Sequence, residues 1–330
     1  MPNGSCRVRP LRSGKKAEEF MHNIPQISVI IPLYNEEQNL PLLHKELVAI
    51  LKGLNKSYEI IFVDDGSSDN SFETIKGLFR EDENIVGLSL SRNFGHQVAL
   101  LAGIEHSSGE TVIMMDADFQ HPPGIIEDLY NKYSEGYDIV NTRRIDSKKT
   151  GFLKRATSKL YYKLINLLSD VKIEPASSDF RLMNRKAVEA FLRFREKNRF
   201  TRGLISWMGF RQTIVEYDAS ERFSGKSKYT VQKMLSFGMD GITSFSSKPL
   251  RVTYYIGFVI VILGLFYALY AIVQHFRGAT VPGWTSILVS VLIIGGVQLL
   301  SLGIIGEYIA RIYNEAKGRP VYFIRETVTK

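Results

Sequence analysis

The sequence predicts an α/β domain built on a mostly parallel sheet, followed by an interfacial amphipathic helix and a two-helix transmembrane hairpin. Between residues 26 and 151, short runs rich in Ile and Val alternate with helical patterns, and each run ends in polar or acidic residues. Residues 254–276 and 284–306 contain no Asp, Glu, Lys or Arg. Strands buried on both faces explain the first pattern, and helices that cross a bilayer explain the second.

Composition sets the outer bounds of this architecture. The chain has 330 residues, of which 45% are hydrophobic and 23% charged, so about two domains with a proper core are expected. The single cysteine, Cys6, excludes an intrachain disulfide and a Cys-based zinc or iron–sulfur site. The net charge of +8 indicates anionic partners such as nucleic acid, phospholipid head groups or phosphorylated small molecules.

The N-terminal segment 1–25 is predicted to be a basic disordered tail, because it mixes Arg, Lys, Gly and Ser without the apolar run of a signal peptide. The α/β domain is assigned to 26–230. Its strands are expected at the runs ISVIIPL, YEIIFVDD, IVGLSLS, TVIMMD and YDIVNTRR. In open sheets of this kind, ligands bind beyond the carboxyl ends of the strands. The chemistry is therefore expected where these runs end.

The segment 231–253 is predicted to be an interfacial amphipathic helix, since Lys233 and Lys248 are placed to meet lipid phosphates. An ordinary packing helix is the alternative. The segment 254–310 forms the hairpin, with spans at 254–276 and 284–306, and buried helices of a soluble protein are the alternative there. Positive charges flank the hairpin, so the α/β domain and both termini, including the tail 311–330, are expected in the cytoplasm at a bacterial inner membrane.

The motif DAD follows the predicted strand TVIMM, and Gln120 comes two residues after its second aspartate. On an extended chain, side chains two positions apart point the same way, so Asp116 and Asp118 can converge on one cation. Mg²⁺ and Mn²⁺ take oxygen ligands and are commonly shared with substrate phosphates. The predicted metal ligands are therefore Asp116, Asp118 and Gln120. The alternative is that the acidic residues only decorate the strand end.

Two further strand ends carry polar groups. The run VDDGSSD places Asp64 and Asp65 at the end of the second strand, where carboxylates can accept hydrogen bonds from a base N–H or from ribose hydroxyls. The run PLYNE ends the first strand with an aromatic edge and another carboxylate. Three adjacent strand ends predict a single site. From this pattern Asp64 and Asp65 are the candidate nucleotide contacts.

The runs VIIPLYNEE, IIFVDDGSSD and MMDADFQHPP resemble the family 2 glycosyltransferases of the GT-A fold. The two spans and the motif RxxGxSK resemble, within that family, the polyprenyl-phosphate glycosyltransferases, bacterial relatives of dolichol-phosphate mannose synthase. The resemblance implies that the nucleoside is held by Pro32, Tyr34, Glu36 and Asp65. It implies that the metal and the diphosphate are held by Asp116, Asp118 and Gln120. It assigns the lipid phosphate to Arg143, Arg155, Ser158, Arg222 and Lys228.

The resemblance also implies inverting transfer of a hexose from a nucleotide-diphosphate sugar, with UDP-glucose favoured, to polyprenyl phosphate. One alternative is transfer to a non-lipid acceptor, and another is a non-catalytic nucleotide-sugar-binding scaffold for a flippase. Nucleic acid is not an expected partner, because the basic residues gather at the tails, beside the spans and around the phosphate site.

Two further expectations concern single features. Asp179 in SSDFRLMNR is placed in the catalytic set, since the resemblance sets this segment over the sugar pocket, and pairing with Arg181 or Arg185 is the alternative. The second span carries glycines that allow close helix packing, which is compatible with a homo-oligomer and leaves the oligomeric state open. These glycines are Gly295, Gly296, Gly303 and Gly306.

Overall fold

The fold is taken from a computed structural model that describes residues 24–145, 177–197, 199, 201–218, 246–278 and 283–330. The strands are β1 (Ile27–Leu33), β2 (Tyr58–Asp64), β3 (Ile85–Leu90), β4 (Thr111–Met114), β5 (Ile139–Ile145), β6 (Ser177–Asn184), β7 (Gln212–Asp218) and β8 (Ile324–Val328). The helices are α1 (Leu40–Gly53), α2 (Ser71–Glu81), α3 (His96–His106), α4 (Ile125–Ser134), α5 (Arg185–Leu192), α6 (Thr201–Trp207), α7 (Lys248–Phe276) and α8 (Trp284–Ala316). The five predicted strands are confirmed as β1 to β5.

One sheet carries all eight strands in the order β7-β5-β6-β4-β1-β2-β3-β8. Strands β3, β2, β1 and β4 run parallel to one another, as alternating strands and helices predict. Strand β6 lies antiparallel between β4 and β5, and β8 lies antiparallel along β3. The sheet is thus a GT-A-like mixed sheet, and the parallel strands place their carboxyl ends along one edge.

Helices cover both faces of the sheet, which explains why its central strands are apolar throughout. Every residue of β1 is buried. Helix α1 buries its four leucines, spaced three or four residues apart as one helical face requires: Leu40, Leu43, Leu47 and Leu51. On the other face, α3 approaches the sheet so closely that a Cβ at Gly103 would lie 2.2 Å from Cγ2 of Ile30. This close packing fixes the start of α3 beside the carboxyl end of β1.

The two apolar segments form the long helices α7 and α8, both long and apolar enough to cross a membrane. Their apolar side chains are exposed, for example Phe266 at 68% and Leu299 at 71%. A core helix of a soluble protein would hide such residues, whereas lipid can cover them in a membrane-associated chain. The predicted spans 254–276 and 284–306 lie entirely within these helices.

Two of the predicted segment boundaries differ from the structure. Helix α7 already begins at Lys248, inside the segment assigned to an interfacial helix, and residues 219–245 lie outside the described residues. The segment 311–330 is not a simple tail, because α8 continues to Ala316 and residues 324–328 form β8. Sequence periodicity missed β8 because a five-residue strand on a sheet edge buries too little apolar surface to show a pattern.

Candidate active site

A pocket of about 350 Å³ opens at the carboxyl ends of the parallel strands, where the sequence predicts the site. It is bounded by the ends of β1, β2 and β4 and by the loop that joins β3 to α3. Of the predicted nucleotide and metal residues, six line it: Pro32, Tyr34, Glu36, Asp65, Asp116 and Asp118. The structure thus brings these residues, which come from three separate strand ends, to one pocket, and their roles stay a prediction.

The turn after β4 aims the two aspartates of the DAD motif into the pocket. The backbone N–H of Asp116 donates to Nδ1 of His121 at 2.9 Å, and Oδ1 of Asp118 accepts from the backbone N–H of Gln120 at 3.1 Å. Phe119 adopts a positive φ of 59°, which turns the chain sharply. Atom Oδ1 of Asp116 is buried and, among the described residues, has no hydrogen-bond partner.

His121 shapes this turn and does not face the pocket. Because Nδ1 accepts a hydrogen bond from Asp116, the ring proton lies on Nε2, which is 2.7 Å from Oγ of Ser178. The imidazole also stacks on Phe180, with ring centroids 5.1 Å apart. His121 thus fastens the turn that carries Asp116 and Asp118 to β6.

Glu36 stands beside both aspartates of the turn in an acidic environment. Burial raises the pKa of Glu36, a hydrogen bond from Asn39 at 2.6 Å opposes that shift, and the charges of Asp118 and Asp116 raise the pKa further. Carboxylates that crowd each other in this way repel a negatively charged ligand. A cation placed among them removes that repulsion.

Asp65 lines the pocket and also organises the loop after β3. Its two carboxylate oxygens accept backbone hydrogen bonds from Phe94 at 2.7 Å and from Gly95 at 2.9 Å. Burial raises the pKa of Asp65, although these hydrogen bonds oppose the shift. Next to it, Gly66 has a φ of 70°, and a Cβ there would lie 2.5 Å from the carbonyl carbon of Arg92. Only glycine lets these two loops meet at the pocket wall.

Asp64, which was assigned to the nucleotide contacts, does not line the pocket. Its side chain is fully buried, accepts from the backbone N–H of Ser67 at 2.9 Å and accepts from the hydroxyl of Ser89 at 2.9 Å. Successive side chains of a strand point to opposite faces, so Asp64 and Asp65 cannot both face one ligand. The structure therefore corrects the assignment of Asp64.

Asp179 lies beside the pocket in a cluster of hydrogen-bond donors. Arg202 donates to both of its oxygens, at 2.9 and 3.1 Å, Gln97 donates at 3.1 Å, and Arg181 lies at 3.5 Å. Burial alone would raise the pKa of Asp179, but the ion pairs with Arg202 and Arg181 hold it well below its usual range. Of the two expected partners, Arg181 is confirmed, whereas Arg185 bonds the carbonyl oxygen of Gly109 instead. A carboxylate held in this way binds and orients, and it is poorly suited to accept a proton.

His96 is a site residue that sequence reasoning left out. It begins α3, lines the pocket, and places Nε2 3.4 Å from Oδ1 of Asp116 and 3.8 Å from Oδ2 of Asp179. The run SRNFGHQ at the exit of β3 was the available signal. Its position at a strand end could not decide between a direct role and a structural one.

The predicted acceptor-phosphate residues are only partly described. Arg143 is paired with Glu216 on the neighbouring strand β7, with Nε 3.0 Å from Oε1. The next residue, Arg144, instead donates to Oε1 of Gln120 at 3.4 Å and so lies toward the turn that carries Asp118. In this hydrogen bond the acceptor is the side-chain oxygen of Gln120, which was expected to bind the metal. Arg155, Ser158, Arg222 and Lys228 lie outside the described residues.

The pocket fits a divalent cation that is shared with a substrate. In the described part of the chain, no three His, Cys, Asp or Glu side chains group as a self-sufficient metal site would. Mg²⁺ and Mn²⁺, however, are often held by one or two carboxylates together with substrate phosphates. Oδ1 of Asp116 is suited to that role, because within the described residues this buried oxygen accepts no hydrogen bond and lies 3.4 Å from Nε2 of His96.

Comparison with known proteins assigns the fold to a family. The family described as glycosyl transferase family 2 matches residues 28–192, which span every acidic strand end described above. The chain belongs to glycosyl transferase family 2. A second family, described as the GtrB C-terminal hairpin, matches residues 248–312 and so covers α7 and most of α8.

Curated relatives match this glycosyltransferase along nearly its whole length. A putative glycosyltransferase of Bacillus subtilis is 46% identical over 91% of both chains. A bactoprenol glucosyl transferase of Shigella phage SfV is 41% identical over 92% of this chain and 100% of its own. Among solved structures, glucosyl-3-phosphoglycerate synthase from Mycobacterium tuberculosis, in complex with Mn²⁺ and UDP-glucose, covers 71% of this chain and 83% of its own, with 17% identity and a TM-score of 0.43.

Proposed function

We propose that this glycosyltransferase transfers a hexose from a nucleoside diphosphate sugar to polyprenyl phosphate at the cytoplasmic face of a membrane. One observation supports the proposal. The same chain contains an acidic pocket of about 350 Å³ and two helices with the length and composition of membrane spans. The similarity to bactoprenol glucosyl transferases runs through both parts. It favours glucose as the sugar, and UDP-glucose is the first donor to test.

The donor would bind across the ends of β1, β2 and β4. Tyr34 is 46% exposed and offers a ring face to the base, and Pro32 offers an apolar wall. Glu36 and Asp65 can accept hydrogen bonds from the base or the ribose. The diphosphate then reaches Asp116 and Asp118, which would hold Mg²⁺ or Mn²⁺ together with its oxygens.

A bound divalent cation supplies Lewis-acid stabilisation of the diphosphate as it leaves. The protein's own contribution is to position the reactants and to exclude other nucleophiles. Asp179, locked in its ionised form by Arg202, is suited to orient the sugar or the neighbouring His96. It is not proposed as a base, because a strongly acidic carboxyl holds a proton too weakly to take one from an acceptor.

The acceptor needs no strong base. A phosphate monoester has a second pKa of about 6, so polyprenyl phosphate is largely a dianion at neutral pH. One of its oxygens attacks the anomeric carbon as the bond from that carbon to the nucleoside diphosphate breaks, which inverts the configuration. The repulsion between the two phosphorylated substrates requires cations near the lipid phosphate.

Five basic residues are proposed to bind the lipid phosphate. Arg144, which lies toward the metal-binding turn, is added to the four predicted from sequence. Those four are Arg143, Arg155, Arg222 and Lys228, and Ser158 is proposed as a hydroxyl contact.

Orientation and self-association belong to the same proposal. Positive residues flank the hairpin, which favours a cytoplasmic catalytic domain. A cysteine introduced at Gly278, between α7 and α8, should then react with an impermeant maleimide added outside intact cells, whereas the native Cys6 should not. The reverse pattern would contradict the proposed orientation. A homo-oligomer through the glycines of α8 stays a prediction.

The decisive experiment is a donor screen with the full chain purified in detergent. UDP- and GDP-linked hexoses are supplied with polyprenyl phosphate or with soluble sugar acceptors, with Mg²⁺ or Mn²⁺, and radiolabelled glycolipid is measured. Metal-dependent labelling of the lipid with release of nucleoside diphosphate is expected. Labelling of only the soluble acceptors would replace the proposal by the non-lipid reaction, and no turnover with any donor would favour a non-catalytic scaffold.

A further inference from the structure

The chain returns from the membrane helices to the catalytic sheet. Strand β8 pairs antiparallel with β3, and the backbone N–H of Ser91 donates to the carbonyl oxygen of Phe323 at 2.9 Å. The hydroxyl of Tyr322 donates to Glu105 of α3 at 2.5 Å. Neither matched family region extends to this segment, since they end at residues 192 and 312. Strand β8 thus lies outside both matched family regions.

A β-bulge singles out one residue of β8. Ser89 pairs with Glu326 and Leu90 pairs with Ile324, so Arg325 is the extra residue between the two pairs. Bulges commonly re-aim a side chain next to an active site. Here Nη2 of Arg325 donates to Oγ of Ser89 at 2.9 Å and lies 4.0 Å from Oδ2 of Asp64.

A series of hydrogen bonds continues from this arginine to the wall of the pocket. Ser89 donates to Asp64 at 2.9 Å, and Asp64 accepts from the backbone N–H of Ser67 at 2.9 Å. Oγ of Ser67 accepts from the backbone N–H of Asn35 at 2.9 Å. Asn35 has a φ of 56° and lies between Tyr34 and Glu36, both of which line the pocket.

Charge explains why Arg325 matters to this series. Asp64 is fully buried, and a buried carboxylate needs hydrogen bonds and a counter-charge to remain in place. Ser67 and Ser89 supply the hydrogen bonds, and Arg325 supplies the nearby positive charge. Without that charge, Asp64 holds the turn that contains Asp65 and Gly66 less firmly.

We infer that β8 is a positioning element of the donor site, in which Arg325 fixes the turn after β2 and so holds the nucleotide-binding wall in shape. The inference rests on the proposed function, because it takes the pocket to be the donor site. Through β8 the segment that follows the second membrane helix contributes to donor affinity. Arg325 acts through Asp64 and Ser89 and does not touch the donor.

The test is a set of binding and rate measurements on the full chain in detergent. UDP and GDP are titrated calorimetrically into the wild-type protein, and the one that binds is used with Arg325→Ala, Arg325→Lys and Lys330→Ala. Lys330, also at the C-terminus, forms an ion pair with Glu83 at the protein surface and serves as the matched control. Melting temperatures are recorded for each variant.

Arg325→Ala should raise the Kd by about two- to tenfold, because the hydrogen bond to Ser89 affects the donor through the turn after β2 and the Arg325 side chain is half exposed. The kcat at saturating donor should change less than about twofold, since the reacting atoms are not touched. Arg325→Lys should recover at least about half of the lost binding free energy, and Lys330→Ala should bind like the wild type. Adding Ser89→Ala to Arg325→Ala should weaken binding less than the sum of the two single effects.

An unchanged Kd in Arg325→Ala would overturn the inference, whether or not its melting temperature falls. Effects of Arg325→Ala and Ser89→Ala on the Kd that simply add in the double variant would overturn it as well. A lysine variant that binds no better than the alanine variant would also overturn it. If the wild type binds and turns over its donor, these results leave the proposed function intact. If the wild type binds neither nucleotide, the proposed function itself fails, and the inference fails with it.

Discussion

Replacing Asp179 by Asn separates a positioning role for this residue from a role as a catalytic base. In the structure, Asp179 accepts two hydrogen bonds from Arg202 and one from Gln97, and its side chain is only 12% exposed. The substitution keeps the shape of the side chain and removes its charge. Arg202 and the buried Arg181 then lose the anion that compensates them.

The expected destabilisation follows from this geometry. Arg181 is 1% exposed, and burial lowers its pKa to about 10, so removal of Asp179 leaves a buried cation without its partner. Breaking a buried ion pair in this way costs about 3 to 5 kcal/mol. Because Asn still accepts one hydrogen bond, we expect about 3 kcal/mol. In a domain of roughly 200 residues, that corresponds to a fall in Tm of about 6 to 12 °C.

The pH dependence gives an independent check. The pKa of Asp179 is lower in the folded protein than in the unfolded chain, so the ionised carboxylate stabilises the fold above the unfolded pKa of about 3.9. That contribution is lost as the pH falls through the lower folded pKa. The difference in Tm between wild type and Asp179→Asn should therefore be largest near pH 7 and should shrink below about pH 4.

Differential scanning fluorimetry in detergent measures both quantities. Glu216→Gln is the matched control, because it removes the charge from the exposed pair with Arg143, which should cost less than about 1 kcal/mol. Turnover of Asp179→Asn is measured at a temperature below its transition. Full folding stability together with a loss of kcat and a changed pH–rate profile would refute the positioning role and restore a base.

Four further outcomes are expected at the pocket. Asp118→Asn should lower kcat about 100-fold or more at saturating donor, because an amide is a weaker metal ligand than a carboxylate. Excess Mn²⁺ should restore little of the lost activity. Activity near the wild-type level would contradict the metal role. Mn²⁺ added with UDP should raise the Tm of the wild type but not that of Asp116→Asn, because the substitution removes the carboxylate that is proposed as a metal ligand. Glu36→Gln should raise the Tm slightly in the absence of ligand, since it removes a carboxylate whose pKa is raised by burial and by the neighbouring negative charges, and it should raise the donor KM. A lower Tm would argue against repulsion among these carboxylates. Arg144→Ala should raise the KM for polyprenyl phosphate about tenfold. Arg143→Ala should raise it less, because Arg143 is already paired with Glu216. Equal increases in KM would contradict the different roles of the two arginines.

Several features could be predicted because they are encoded over a few neighbouring residues. The runs ISVIIPL and TVIMM have the composition of buried strands, and each ends in a polar turn, so five strands and their order with the helices follow from the chain itself. The carboxyl ends of parallel strands meet at one edge, which brings Tyr34, Asp65 and Asp116 to one pocket. The charge-free segments 254–276 and 284–306 predict, in the same local way, two helices long and apolar enough to cross a membrane.

Other features depend on contacts between residues that are far apart in sequence. The antiparallel strands β6 and β8 pair with strands that are distant in sequence: β6 lies between β4 and β5, and β8 lies along the edge strand β3. Their own residues show no pattern that identifies those neighbours. Arg202 lies 23 residues beyond Asp179, and Arg325 lies 236 residues beyond Ser89. Which of several arginines meets a buried carboxylate is decided by the packing of the whole domain.

Pairs of adjacent residues also show which features the sequence determines and which depend on tertiary structure. The sequence alone determined that this protein has an acidic site at the ends of parallel strands and a hairpin suited to a membrane. Tertiary structure decided that Asp65 faces the pocket while Asp64 is buried behind it, and that Arg143 pairs with Glu216 while Arg144 reaches Gln120. Hydrophobic periodicity fixes which residues are buried, but the direction of a polar side chain depends on the partner that packing brings to it.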